Sequence, residues 1–179
     1  VPVTPGTRFV TVGGAVASDI HGKNHHVEGS FGNHVRRLTL MLADGTIHDI
    51  GPDHNPTLFW ATVGGMGLTG VILDVTFGLI PIETSLCTVN TIRCRNIDVL
   101  IEEMSHGDDD HRYSVAWADL LSTGSRLGRS VLWRGDHTKL AELSSKDAAQ
   151  ALRYEPRHLA SVSPLVPSFG FVNKLSSSL

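Results

Sequence analysis

The sequence predicts an α+β fold built from two unlike parts, and three observations carry that reading. Glycine and charge are unevenly shared: divided near Glu83, the first part holds 13 of the 18 glycines but only 11 of the 33 charged side chains. β-rich runs alternate with short helical patterns along the whole chain. After Glu83 the order is strand, helix, strand, strand, helix, as in half of an antiparallel sheet covered on one face by helices. The expected domains are residues 1–83 and 84–179.

In the first part, residues 7–12 are β-rich and run into Gly13-Gly14. Residues 35–42 and 46–50 flank Asp44-Gly45 as a hairpin. Residues 56–63 read as a short helix, entered by Asn55 as N-cap with Pro at the first helical position and left at Gly64-Gly65. Residues 71–80 read as a strand halted by Pro81. In the second part, residues 85–94, 111–118 and 130–134 read as strands, 97–105 as a helix begun by Asn96, and 138–152 as helical. Residues 161–179 show no regular period, and Pro164 and Pro167 mark them as loop.

With 179 residues, 41% hydrophobic and 18% charged, the chain is globular rather than disordered and long enough to bury a core. Its formal net charge of −3 offers no basic excess for nucleic acid. Cys87 and Cys94 cannot make a disulfide framework. On one strand their odd spacing sets them on opposite faces, and they read as ordinary buried thiols. The most apolar stretch, residues 70–82, is too short to cross a bilayer and is broken by Asp74. The chain starts at Val1 without an initiator Met or a basic flank, and it is read as soluble and as an internal piece.

Gly65-Met66-Gly67-Leu68-Thr69-Gly70 matches G-x-G-x-x-G, but a dinucleotide fingerprint needs a strand before it and a helix after it. Here a helix precedes and a strand follows, and the position twenty residues on is Asn90 rather than an acid. A glycine-rich helix-to-strand turn is the better reading. Six of the ten histidines precede residue 55, and His21, His25 and His26 form H-x-x-x-H-H, so zinc has to be weighed. Gly22, Gly29 and Gly32 argue against a helix presenting them, and no acid stands at metalloprotease spacing; no metal is expected.

The most informative segment is residues 12–24, VGGAVASDIHGKN, in which small residues dominate until His21. Such a stretch has almost no side chain to block a planar ligand, so its amides can approach the edge of a ring. Together with Thr4-Pro5-Gly6-Thr7, Gly29-Ser30-Phe31-Gly32-Asn33-His34-Val35 and Leu58-Phe59-Trp60-Ala61-Thr62-Val63-Gly64-Gly65, this segment resembles the flavin-dependent oxidoreductases of the vanillyl-alcohol oxidase type. The resemblance is dense over residues 1–81 and thinner afterwards, where residues 113–119, Leu127-Gly128-Arg129 and Asn173-Lys174 fit the family's substrate domain.

The resemblance implies the second half of a vanillyl-alcohol-oxidase-type FAD-binding domain in residues 1–83. Residues 84–179 are then an incomplete substrate (cap) domain with an antiparallel sheet and helices. It implies non-covalent FAD, with contacts on Gly6, Thr11, Val12, Gly13, Gly14, Ser18, Asp19, Ile20, His21 and Ile72. Gly22 and Lys23 fall on the substrate side, and His21 is the catalytic candidate. The implied reaction oxidises the C2′ hydroxyl of a polyprenyl-phosphate-linked pentose to a keto sugar, and a partner keto-reductase then completes an epimerisation feeding cell-wall arabinan. Peripheral membrane contact, for which residues 164–171 offer an apolar loop, and a cell-envelope or membrane-associated location follow from such a substrate. Another FAD-linked sugar or aldonolactone oxidase, a non-catalytic fragment and a zinc module are the alternatives.

Overall fold

The computed structural model describes residues 1–154. They fall into two compact units, Val1–Pro81 and a second that begins at Ile82. The expectations for residues 161–179, including the apolar loop at 164–171, lie outside the described residues.

The first unit contains α1 (Val12–Ala17), α2 (His25–Glu28), β1 (Val35–Met41), β2 (Ile47–Ile50), α3 (Pro56–Thr62) and β3 (Val71–Phe77). The Asp44-Gly45 hairpin forms as expected. Gly45 takes φ +82, and the Leu42 N–H donates to the Thr46 carbonyl at 2.9 Å. β1 is the central strand of an antiparallel sheet ordered β2-β1-β3. Leu38 and Leu40 alternate along it into a core shared with Val3, Val16, Phe31, Ile50 and Phe59. Asn55 caps α3, its side chain accepting from the Leu58 N–H at 3.4 Å, and Pro56 fills the first helical position.

Residues 7–12 are not a strand. Thr11 is the N-cap of α1: its hydroxyl accepts from the Gly14 N–H at 3.1 Å and its carbonyl from the Ala15 N–H at 2.8 Å. Ala15 and Val16 are neighbours and both are buried, which an alternating strand with one solvated face cannot achieve and a helix can. The carbonyls at the end of α1 are taken up from the turn that follows α3. Gly64 N–H donates to Val16 O at 3.0 Å and Met66 N–H to Ala17 O at 2.8 Å. Residues 64–70 therefore form a helix-to-strand turn. A Cβ on Gly65 would lie 2.1 Å from the Ala61 carbonyl oxygen, so backbone packing rather than a phosphate accounts for that glycine.

The second unit contains β4 (Cys87–Cys94), α4 (Ile97–Gly107), β5 (Tyr113–Ala118), β6 (Ser130–His137) and α5 (Ser145–Ala148). Its antiparallel sheet is ordered β4-β6-β5, and α4 supplies Leu100 to a core with Cys94 and Leu132. β6 runs three residues past its expected end because it is paired on both sides, Gly135 facing Val89 on β4 and Tyr113 on β5. Asn96 caps α4 by accepting from the Val99 N–H at 3.1 Å. Replacing Asn96 by Ala should lower stability by about 1 kcal/mol in denaturant titration.

Two further expectations are corrected. Residues 138–152 are not one helix but a 3-10 turn at Leu140–Glu142 and the single-turn α5. Their backbone is engaged elsewhere: Leu140 N–H donates to the Glu83 carboxylate at 2.9 Å, and Ala151 O accepts from Ser85 N–H at 2.8 Å. The cysteines are not both buried. Cys94 faces the core, while Cys87, an odd number of residues away, is exposed on the other face.

Candidate flavin site

The candidate residues occupy three stretches of the first unit. Gly6 lies in the segment that leads into α1, and residues 6–12 are all exposed. Thr11, Val12, Gly13 and Gly14 form the cap and first turn of α1. Ser18 to Lys23 follow its C-terminal end, with Ser18, His21 and Lys23 exposed.

Asp19 has φ +40, and its carboxylate accepts from the Gly32 N–H at 2.8 Å. That bond turns the carboxylate inward, onto the chain's own backbone. Ile20 and Ile72 lean on the hydrophobic core, and the Ile20 main chain is itself engaged, its N–H donating to Ala15 O at 3.0 Å and its carbonyl accepting from Phe31 N–H at 2.8 Å. Gly22 is wedged on the N-terminal segment, where a Cβ would sit 2.2 Å from the Thr4 carbonyl oxygen. The His21 ring meets the His25 ring edge-on, centroids 5.4 Å apart. Among the described residues no group of three or more His, Cys, Asp or Glu side chains is placed to hold a metal ion.

The exposed track suits a flat, polar-edged group. A side chain at Gly6 or at Gly13 would meet no atom within 4 Å, so the backbone at both points borders open space. Phe9 is 80% exposed, and Val10 and Val12 are exposed beside it, an apolar surface that a ring system would cover. Small residues that bare the backbone, next to apolar side chains that need cover, fit FAD.

Residues 1–51 match the FAD binding domain family. The matched segment contains every candidate residue except Ile72. The whole chain is 44% identical over 180 residues to decaprenylphosphoryl-beta-D-ribose oxidase of Mycolicibacterium smegmatis, a match covering 98% of this chain and 38% of that protein. It is 42% identical over 157 residues to an uncharacterized protein in the mprA 5′ region of Streptomyces coelicolor, covering 88% of this chain and 42% of that one. D-arabinono-1,4-lactone oxidase of Yarrowia lipolytica is 28% identical over 130 residues, covering 73% of this chain and 23% of that protein. The chain spans about two-fifths of the length of the first two of these relatives.

Asn24 is the residue of the first unit that the sequence reading passed over. It is fully buried, and its side chain reaches back to Pro2 and Thr4. Only its motif neighbours, His21 to Lys23, pointed toward it.

The second unit carries a cleft of about 340 Å³ lined by Arg93, Trp117, Asp119, Arg129 and Ser130 among others. One carboxylate sets its rim. Asp119 accepts from the Ser122 hydroxyl at 2.7 Å, the Leu121 N–H at 2.9 Å and Arg129 Nε at 2.9 Å. The Ser122 hydroxyl foremost, then the Leu121 N–H, hold its pKa down to about 2 from an ordinary 3.8, with Arg129 adding to them. Because the folded value lies below the unfolded one, this contribution to stability is complete above about pH 4 and is lost as pH falls toward about 2. In acid titrations followed by circular dichroism, Asp119→Asn should flatten that loss while leaving the profile near neutrality parallel to the parent.

Proposed function

We propose that the chain is part of an FAD-dependent oxidoreductase that converts the C2′ hydroxyl of decaprenylphosphoryl-β-D-ribose to the 2′-keto sugar. The observation that carries this reading is the bared backbone of Gly6 and Gly13, in one unit with the exposed His21 and Lys23, in a chain similar along nearly its whole length to an oxidase of that name. Residues 1–83 are the FAD-binding part and residues 84–179 the substrate part.

When bound, FAD supplies a two-electron acceptor. The chain contributes position and proton handling. The main chain at Gly6 and at Gly13 approaches the group without side chains in the way, Thr11, Val12 and Gly14 complete that stretch of the site, and the side chains of Phe9, Val10 and Val12 exclude water from it. An imidazole nitrogen of His21 receives the hydrogen bond of the reacting hydroxyl and holds its proton as the C2′ hydrogen departs with its electron pair. The backbone of Gly22 and the side chain of Lys23 line the substrate side. The sugar loses one hydride and one proton, and a carbonyl results.

A partner keto-reductase returns the carbonyl to a hydroxyl of opposite configuration, supplying an arabinose donor for cell-wall arabinan. A polyprenyl-phosphate substrate is met at the membrane surface, in the cell envelope. No helix among the described residues is long and apolar enough to cross a membrane.

The similarity to an arabinono-lactone oxidase supports a second reading, in which an aldonolactone is the substrate. Flavin contacts report the cofactor and not the substrate. The test is bleaching of the flavin absorbance, without oxygen, in the enzyme that contains this chain. Bleaching by the prenylphosphoryl ribose and not by aldonolactones is expected, and the reverse pattern would transfer the assignment to the lactone oxidases.

A further inference from the structure

Asn24 stands at the N-cap of α2, its backbone carbonyl accepting from Val27 N–H at 3.0 Å and Glu28 N–H at 2.8 Å. An asparagine at that position ordinarily turns its side chain onto the helix to accept from a first-turn N–H. Here the side chain makes no such cap and points the other way. Its Nδ2 donates to the Pro2 carbonyl, and its Oδ1 accepts from the Thr4 N–H at 3.3 Å and the Thr4 hydroxyl at 3.4 Å. Asn24 is completely buried, as is Pro2, so the bond between them forms out of water, where leaving it unmade is costly, while the two bonds to Thr4 are partly buried.

The neighbouring contacts run along the same seam. Lys23 N–H donates to the Thr4 carbonyl at 3.3 Å, and Gly22 has no room for a Cβ against that carbonyl. Two stretches far apart in sequence are thereby fixed against each other. One leads two residues later into Gly6, and the other is His21-Gly22-Lys23.

We propose that Asn24 is a positioning residue of the flavin site, a buried clamp that sets His21 and Lys23 relative to the Gly6 segment. The inference rests on the FAD reading above for its functional meaning, and on the side-chain contacts for its geometry. Asn24 does not touch the reacting groups; it acts through the backbone of Thr4 and of residues 22–23.

The test uses the whole chain with Asn24→Asp and Asn24→Ala. The carboxylate of the first keeps the shape but cannot donate to Pro2 O. Asn96→Ala, which removes a helix cap in the second unit, is the control for lost stability without lost positioning. Amide hydrogen exchange in flavin-free protein is read first. Both Asn24 variants should speed exchange at Thr4 and Lys23 about tenfold or more, with β1 amides unchanged. FAD titration by fluorescence quenching is read second, at a temperature where all variants are folded. Affinity should fall about tenfold or more in the Asn24 variants, with an altered visible circular dichroism of the bound flavin, and should be unchanged in Asn96→Ala.

Unchanged exchange at Thr4 and Lys23 would overturn the clamp. Faster exchange with unchanged FAD affinity and spectrum would overturn its role in the flavin site. A parent chain that takes up no FAD would count against the FAD reading of the chain and also against that role, while exchange alone would still decide the clamp.

Discussion

Replacing His21 by Ala should lower the limiting rate of flavin reduction by substrate about 10²–10⁴-fold, the usual weight of the acid–base role proposed for it. The side chain is exposed, carried on the segment after α1, and packs edge-on against His25 without being part of the core. Its removal should therefore leave the fold intact and FAD in place. The loss should appear in the rate at saturating substrate rather than in the concentration needed to saturate, because the hydrogen bond to the hydroxyl strengthens as the proton is released. Anaerobic stopped-flow spectroscopy of the enzyme containing this chain checks it. A reduction rate within threefold of the parent would remove His21 from the chemistry.

Replacing Asp108 by Ala should destabilise the second unit by about 3 kcal/mol, the low end of the range expected when one partner of a buried ion pair is removed, because Arg134 is buried and Asp108 only partly so. Arg134 is buried in mid-strand on β6, and its Nε donates to Asp108 Oδ1 at 2.8 Å. The guanidinium also donates to the Glu103 carbonyl and occupies the space beside Gly107, where a Cβ would lie 2.6 Å from Nη1. The end of α4 is thus bound to the centre of the sheet through one arginine. Without Asp108 that charge stays buried with the Glu103 carbonyl and the Glu103 carboxylate, the latter 3.6 Å away, as the partners that remain. The double variant Asp108→Leu/Arg134→Met should recover most of the loss, since replacing both members of such a pair by apolar groups is often neutral. Chemical denaturation of the two single variants and the double gives the cycle, and additive losses would refute the coupling.

Much of the fold was legible from short-range signals. Asn55-Pro56 and Asn96 start helices because a cap needs only a side-chain oxygen within reach of an N–H three residues on. The Asp44-Gly45 turn fixed a hairpin because only a few residue types tolerate its backbone angles. The glycine turn at 64–70 was placed correctly between helix and strand by the elements on either side of it. The run of small residues on which the proposed flavin site rests is legible for a related reason: bared backbone requires small residues in a run, and a run is visible in sequence.

What the linear order concealed were the outcomes that depend on partners far along the chain. Residues 7–12 have strand propensity, yet Thr11 begins a helix whose Ala15 and Val16 are both drawn into the core and whose last carbonyls meet Gly64 and Met66. Residues 138–152 have helical character, but hydrogen bonds to Glu83 and Ser85 claim their backbone. Asp19, expected to face the cofactor, turns to Gly32, and Asn24 turns away from the helix it caps to hold Pro2 and Thr4. Local composition states which groups a segment can offer. Which of them remain available to a ligand is settled by burial, because a polar group taken out of water must bond to whatever the folded chain brings beside it.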